Sequence, residues 1–246
     1  MTMIKKVDTT APIIHQPPYQ INYAERIPVI HIFRNAVASL YSNRGKGKPL
    51  YNSLHNFAEL LFQRRSYLAA ECGVYKGNCL IACAEIAREY GLPIHIYGLD
   101  TFSGLPELSE TDKLYAIKTV LKKNSEMFSD TSVSEVQAKI EEKDLSKYIS
   151  LVPGLFQNTL SSLPEKKYFF VNIDCDLYEP HLECLEFFYP RMESGGIIFF
   201  DDYHSVEFPM ARVAIDKFMD GRQETLFHLR YGEEAANHTK AFIVKY

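Results

Sequence analysis

Two short apolar runs, separated by an amphipathic stretch, organise the middle of the chain. The first run, Tyr168 to Ile173, has the length and composition of a buried parallel strand. From Tyr178 onward, apolar residues recur every three or four positions, which predicts a helix, and Gly195-Gly196 is expected to stop it. The second run, Ile197 to Phe200, predicts a strand parallel to the first, because such strand-helix-strand connections are right-handed.

The same alternation extends to both sides of this unit. Three further strands are predicted before it and two after it: Tyr67 to Cys72, Ile94 to Leu99, Tyr148 to Val152, Thr225 to Leu229 and Ala241 to Lys245. Five of the seven strands alternate with helical patterns, and the last two form a hairpin around a polar loop. The pattern therefore predicts an α/β fold with a mostly parallel, seven-stranded sheet that ends in an antiparallel hairpin.

The first 65 residues are predicted to form a helical extension, followed by one domain over residues 66–246. Apolar positions between Tyr23 and Tyr41 recur at helical spacing, and Leu54 to Phe62 predicts a second helix. We expect the apolar face of the first helix to lie outside the sheet domain. It would then serve as a subunit contact in a homo-oligomer or as a lid over the ligand. Residues 109–146 are polar, with no strong core pattern, and predict either a lid or solvated surface helices.

Composition excludes several classes of protein. The chain of 246 residues is 46% apolar and 24% charged, as expected for one globular domain with additions. A net charge of −4 without a long Lys/Arg cluster argues against a nucleic-acid surface. No run approaches the roughly 20 apolar residues of a membrane span, and the first ten residues lack the apolar core of a secretory signal. A cytoplasmic location is expected.

Four aspartates follow the two central strands. Asp174 and Asp176 end the first strand, and Asp201 and Asp202 end the second, so parallel strands bring all four to one edge of the sheet. Gathered carboxylates raise one another's pKa, and a cation is therefore expected among them. Oxygen donors alone suit Mg²⁺, Ca²⁺ or Mn²⁺. The alternative is that these aspartates only cap the following helix or begin a loop.

A glycine-containing turn follows the first strand and also points to a ligand. The segment ECGVYKGN, from Glu71 to Asn78, lets a ligand approach the backbone, and the helix that starts there favours an anionic group. It lacks the GxGxxG and GK[ST] patterns. Asp100, 29 residues after Glu71, ends the second strand, where an acid commonly accepts hydrogen bonds from ribose hydroxyls. The alternative is that Asp100 only stabilises its own turn.

Three strings together resemble one family: ECGVYKG, GLDTFSGLPE, and IDCDLYEP followed by GGIIFFDDY. In this order they resemble the macrocin O-methyltransferases, S-adenosylmethionine- and Mg²⁺-dependent enzymes that methylate sugar hydroxyls of antibiotics and related metabolites. The resemblance covers roughly residues 66–218 and implies a Rossmann-like class I methyltransferase fold.

The resemblance also implies roles for residues. It places Glu71, Gly73, Asp100 and Thr101 in the cofactor site. We assign to the same site Tyr75 and Gly77 of the glycine turn and Gly154 and Phe156 after the third strand. Asp176, Asp201 and Asp202 match the family's magnesium ligands, and Asp174 matches its general base.

The expected function is transfer of a methyl group from S-adenosylmethionine to a hydroxyl of a sugar or glycosylated metabolite, in natural-product biosynthesis. The partner is then a hydroxylated small molecule, with neither nucleic acid nor membrane involved. Two alternatives stay open. One is a metal-dependent nucleotide-sugar enzyme or hydrolase that uses the same carboxylates, and the other is a non-catalytic module that binds the cofactor.

Overall fold

A seven-stranded sheet forms the centre of the protein. The computed structural model describes residues 27–43, 67–230 and 239–246. Its strands are β1 (Tyr67–Cys72), β2 (Ile94–Asp100), β3 (Ile149–Pro153), β4 (Tyr168–Ile173), β5 (Met192–Phe200), β6 (Phe227–Arg230) and β7 (Thr239–Val244). Their order is β3-β2-β1-β4-β5-β7-β6. Strand β7 is antiparallel to both β5 and β6, and the other neighbours are parallel, which confirms the predicted sheet and terminal hairpin.

Helices cover both faces of this sheet. They are α1 (Ile27–Asn43), α2 (Asn78–Tyr90), α3 (Glu110–Tyr115), α4 (Lys118–Lys123), α5 (Val133–Glu142), α6 (Phe156–Thr159), α7 (Tyr178–Phe188) and α8 (Pro209–Met219). One core contains side chains of α1, α2 and α5, and the other contains side chains of α6, α7 and α8. Strands β1 and β4 are buried along their whole length, as expected for central parallel strands. Among the helices in the described part, none has the length and apolarity to cross a membrane.

Helix α1 packs directly onto the sheet. Val29, Phe33 and Val37 are fully buried. The Phe33 ring centroid lies 5.0 Å from that of Phe170 and 5.8 Å from that of Phe169, both on β4. The expectation that this face lies outside the sheet domain is therefore wrong, because the face is covered by the domain's own core. The predicted helix at 54–62 and the loop at 231–238 lie outside the described residues.

The helix after β4 ends earlier than predicted. Helix α7 ends at Phe188, a 3-10 turn covers Tyr189–Arg191, and β5 already begins at Met192. The 3-10 turn contains Pro190, and proline has no amide hydrogen with which to continue a helix. The expectation that Gly195-Gly196 stops the helix is therefore wrong, and both glycines lie within β5.

The polar excursion between β2 and β3 contributes to the core. It contains α3, α4 and α5, and Val120, Val136, Ile140 and Leu145 are each no more than 1% exposed. The expectation that this segment has no strong core pattern is therefore wrong. Some of its apolar residues, such as Leu114 and Leu121, are exposed, whereas Val136 and Ile140 lie four residues apart on one buried face of α5.

Candidate active site

A cavity of about 560 Å³ opens at the carboxyl edge of the sheet. It lies where β1 and β4 are neighbours and the strand order reverses, the usual ligand position in open α/β sheets. Its walls come from the turns after β1, β2, β3 and β4 and from the excursion that contains α3. The lining includes most of the sequence-predicted site: Gly73, Tyr75, Asp100, Thr101, Gly154, Phe156, Asp174 and Asp176.

Gly73 brings the turn after β1 against the end of β4. Its φ is +93°, a region that favours glycine, and a Cβ added there would lie 1.7 Å from the carbonyl oxygen of Asp174. No side chain fits in that space. The glycine therefore sets the close approach of the two strand ends that form the cavity floor.

Asp100 ties two turns of the cavity wall together. Its Oδ2 accepts hydrogen bonds from the backbone N–H groups of Val74 (2.7 Å) and Tyr75 (2.8 Å). Its Oδ1 accepts one from the N–H of Phe102, at 2.6 Å. The carboxylate thus stabilises the turns after β1 and β2 while it lines the cavity. Thr101 Oγ1 also lies 3.4 Å from Oδ1, but this hydroxyl makes its shorter hydrogen bond, 2.6 Å, to the carbonyl oxygen of Gly104. A carboxylate has about four lone-pair positions, so Oδ1 retains capacity for a ligand hydroxyl.

Strained backbone is concentrated at this edge of the sheet. Tyr75, Phe102, Phe128 and Asp176 have φ values of +49°, +53°, +58° and +62°. Such conformations cost of order 1–3 kcal/mol each in residues other than glycine and cluster at functional sites. The Tyr75 and Phe128 rings also meet edge to face, with centroids 5.4 Å apart. Packing and backbone strain together point to a pre-organised binding site.

Three carboxylates converge beside the cavity. Oxygens of Asp174, Asp201 and Asp202 lie within 4.8 Å of one another. Asp176, assigned to the metal from the sequence, is outside this group. Asp176 lines the cavity, and its backbone N–H donates to Asp202 Oδ2 at 3.0 Å. An oxygen-only set of this kind fits a hard divalent cation such as Mg²⁺.

A lysine that sequence reasoning missed contacts this cluster. Lys240 Nζ, on β7, donates to Asp201 Oδ2, and the two side chains are 17% and 14% exposed. Burial lowers the pKa of Lys240, but the charge and hydrogen bond of Asp201, together with the charges of Asp202 and Asp174, outweigh it and the net pKa is raised. A cation among the aspartates was expected from the sequence, but only as a metal. A single charge in the apolar run TKAFIV was the available signal.

His181 on α7 lies behind the cluster. It is fully buried, its Nδ1 contacts the carbonyl oxygen of Leu177 at 2.8 Å, and its Nε2 is 3.9 Å from Asp202 Oδ2. Burial lowers the pKa of His181 to about 4, so the imidazole is neutral near pH 7. It therefore adds no positive charge to the carboxylates.

Four predicted site residues do not line the cavity: Glu71, Gly77, Asp201 and Asp202. Glu71 is buried in β1, where its Oε1 accepts a hydrogen bond from Asn172 Nδ2 at 3.4 Å. Gly77 has a φ of +80°, and a Cβ there would lie 2.7 Å from Val136 Cγ1. Its small size therefore allows α5 to pack on the start of α2. Asp201 and Asp202 belong to the carboxylate cluster instead.

Asp112, also missed from the sequence, fixes the excursion to the cavity. It is 1% exposed, and its Oδ1 accepts a hydrogen bond from the N–H of Tyr178 at 2.7 Å, at the start of α7. Its Oδ2 accepts from Ser109 in a capping box that begins α3. The S-x-x-D spacing was the signal that could have identified it. Because Glu107, Asp112 and Phe128 line the cavity, the excursion forms one of its walls.

Strand order, switch-point cavity and strand-end carboxylates together define a class I methyltransferase fold. The solved structure of the O-methyltransferase NovP superposes with a TM-score of 0.67 at 22% identity, covering 89% of this chain and 80% of that one. The calicheamicin methyltransferase CalS11 gives a TM-score of 0.59 at 20% identity and 94% coverage of both chains. Residues 66–227 match the family described as Macrocin-O-methyltransferase (TylF), and the chain belongs to that family.

Curated relatives match the chain over part of their length. A tetracenomycin-C 4'-O-methyltransferase of Streptomyces olivaceus is 27% identical, over 54% of this chain and 51% of its own. Demethyldecarbamoylnovobiocin O-methyltransferase of Streptomyces niveus is also 27% identical, over 60% and 56%. Mycinamicin III 3''-O-methyltransferase of Micromonospora griseorubida is 26% identical, over 61% and 59%. The chain thus spans little more than half the length of these relatives.

Proposed function

We propose that this protein is an S-adenosylmethionine-dependent O-methyltransferase acting on a hydroxyl of a sugar or glycosylated small molecule. The observation that carries the proposal is the cavity itself. Its lining combines a glycine turn and Asp100 with Asp174 and Asp176, in a chain of the macrocin O-methyltransferase family. The relative from Streptomyces olivaceus, whose full name describes a rhamnosyl-substituted tetracenomycin C as substrate, supports the acceptor class.

The turn residues after the strands are suited to the cofactor. Gly73 and Gly154 line the cavity with positive φ values of +93° and +133°, so backbone there is accessible to a ligand. Asp100 has capacity to accept from ribose hydroxyls while its other lone pairs hold the turns. Bound S-adenosylmethionine would supply an electrophilic methyl group on a sulfonium. These residues would hold and orient it toward the end of β4.

The metal ligands we propose are Asp174, Asp201 and Asp202, in place of the sequence-based trio with Asp176. Their convergence within 4.8 Å supports this choice. A divalent ion there would supply Lewis-acid stabilisation of the acceptor oxygen. Asp174 is the member of the cluster that also lines the cavity, so it connects the cluster to the acceptor side.

Asp176 is then the general base. It lines the cavity and is not one of the three converging carboxylates, and its backbone φ of +62° distinguishes it from Asp174. An alcohol pKa near that of water, about 15.7, exceeds the Asp value of about 3.9 by roughly 12 units, or about 16 kcal/mol. The proton therefore leaves as the methyl transfers. Asp176 would take the hydroxyl proton while the acceptor oxygen receives the methyl group that bound S-adenosylmethionine would supply, leaving S-adenosylhomocysteine.

Charge at the cavity disfavours the nucleotide-sugar and phosphate-ester alternatives. The described lining contains no Lys, Arg or His, whereas the following lining residues are acidic: Asp100, Glu107, Asp112, Asp174, Asp176, Glu179 and Glu183. A diphosphate would meet repulsion from these carboxylates, which one divalent ion at the cluster would offset only in part, and the described lining offers none of the Arg and Lys contacts that commonly bind phosphate. A neutral hydroxylated acceptor meets no such penalty.

The test is methyl transfer to a panel of glycosylated and phenolic acceptors with S-adenosylmethionine and Mg²⁺, read by mass as a gain of one methyl. Asp201→Asn and Asp174→Asn should lose activity at limiting Mg²⁺ and regain part of it at high Mg²⁺. Asp176→Asn should lose about 10²-fold to 10⁴-fold at every Mg²⁺ concentration. Rescue of Asp176→Asn by Mg²⁺, with none for Asp174→Asn, would restore the sequence-based roles. Full activity in chelator would remove the metal from the reaction.

A further inference from the structure

The strand ladder brings one lysine to the carboxylate cluster. Ala241 on β7 pairs with Phe200, the last residue of β5, in an antiparallel register. Lys240 precedes Ala241 and Asp201 follows Phe200, so the register places these two side chains at the same end of the ladder. Their ion pair is largely buried. Lys240 also lies beyond residues 66–227, the part that matches the family.

We propose that Lys240 is a built-in competitor of the divalent cation for Asp201, so that metal binding requires the lysine to give up this carboxylate. The proposal rests on the metal site of the proposed function. Asp201 is one of the three converging carboxylates, and its Oδ2 also accepts from the Lys240 ammonium. A cation that binds this carboxylate meets a positive charge already in contact with it, and the pair is largely buried from the water that would screen that repulsion.

Charge balance explains why a lysine would be placed here. Three carboxylates within 4.8 Å repel one another, and buried carboxylates without a counter-charge oppose folding. Lys240 therefore stabilises the cluster before the metal arrives, and the same contact weakens metal affinity. The expected result is a site that exchanges its ion readily instead of retaining it.

The experiment measures Mg²⁺ affinity of the full chain by titration calorimetry, with Mn²⁺ paramagnetic resonance as a second probe. Lys240→Met removes the charge and keeps the apolar stem. It should lower the Mg²⁺ dissociation constant at least about tenfold, which corresponds to about 1.4 kcal/mol of binding free energy. Lys240→Arg keeps the charge and should bind as the parent does. Lys245→Met is the matched control, because Lys245 pairs with Glu224 (2.7 Å) and not with the cluster.

Thermal unfolding gives a readout independent of activity. In chelator, Lys240→Met should melt below the parent because its carboxylates lack their ammonium, and Mg²⁺ should raise its melting temperature more than that of the parent. Where Lys240→Met does not fold, Lys240→Gln is used with the same expectations. If neither variant folds in chelator or in Mg²⁺, the proposal is overturned, because the lysine is then a structural requirement.

The outcomes separate this proposal from the proposed function. If a folded Lys240→Met variant binds Mg²⁺ with the same affinity as the parent, or with lower affinity, the proposed competition is overturned. Binding detected in the variant but too weak to measure in the parent supports it. Absence of binding in every chain overturns the competition and the metal site together. Methyl transfer to an acceptor is read separately by mass, so it stands or fails by its own result.

Discussion

Asp100→Asn tests whether this carboxylate holds the site together or only meets the cofactor. The structure gives Asp100 three backbone donors: two N–H groups on Oδ2, from Val74 and Tyr75, and one on Oδ1, from Phe102. Asparagine keeps the shape but offers one carbonyl oxygen and one NH₂ group. The carbonyl oxygen can accept from the N–H groups of Val74 and Tyr75, and the NH₂ group then faces the N–H of Phe102.

The magnitude follows from these bonds. Two hydrogen bonds that change from a charged to a neutral acceptor lose about 1 kcal/mol each, and one N–H left without an acceptor costs about 1–3 kcal/mol, so the total is about 3–5 kcal/mol. The N–H left without an acceptor belongs to Phe102, which is 5% exposed. We therefore expect a loss of about 3–5 kcal/mol in the free energy of unfolding. Affinity for S-adenosylmethionine should fall as well, because both turns line the cavity.

The assay is equilibrium urea unfolding without cofactor, followed by calorimetry with S-adenosylmethionine. Asp130→Asn is the control, since Asp130 also contacts the turn after β1, through Tyr75 and Lys76, but its side chain is 67% exposed. It should leave the free energy of unfolding close to that of the parent, because exposed ion pairs contribute little. An Asp100→Asn variant that loses cofactor affinity but unfolds within about 0.5 kcal/mol of the parent would refute the structural role. Lost stability with unchanged affinity would remove Asp100 from the cofactor site.

Three further variants test other parts of the structure. Gly73→Ala should lose more than about 3 kcal/mol of unfolding free energy in urea, because its Cβ meets backbone at 1.7 Å. Gly91→Ala, with open space around it, is the control, and equal losses would contradict the clash. Phe33→Ala should cost about 3–5 kcal/mol without changing the light-scattering mass, and a changed mass would place α1 in a subunit contact. Burial raises the pKa of Glu224, but its hydrogen bonds outweigh this and lower it from 4.5 to about 2. The stability that ionised Glu224 contributes is therefore present above pH 4.5 and lost as pH falls toward 2. Glu224→Gln should make the free energy of unfolding depend less on pH over this range.

Local patterns in the sequence were sufficient for the sheet and for the edge that carries the site. Buried parallel strands appear as continuous apolar runs, and turns need glycine or aspartate, so both leave a local signal. Asp174, Asp176, Asp201 and Asp202 were placed at one edge because right-handed crossovers leave little choice of topology. The resemblance to the macrocin O-methyltransferases followed from the same strings and is confirmed by the family match.

Only the tertiary structure decided which side chains meet. Asp174 and Asp176 are equivalent by spacing, but a φ of +62° at Asp176 and a hydrogen bond to Asp202 separate their environments. Lys240 reaches Asp201 through strand register, 39 residues along the chain. Helix α1 packs on the sheet, whereas its sequence pattern indicated only that one face is buried and not against what. Periodicity shows that a face is buried, whereas backbone conformation and non-local pairing determine what it is buried against.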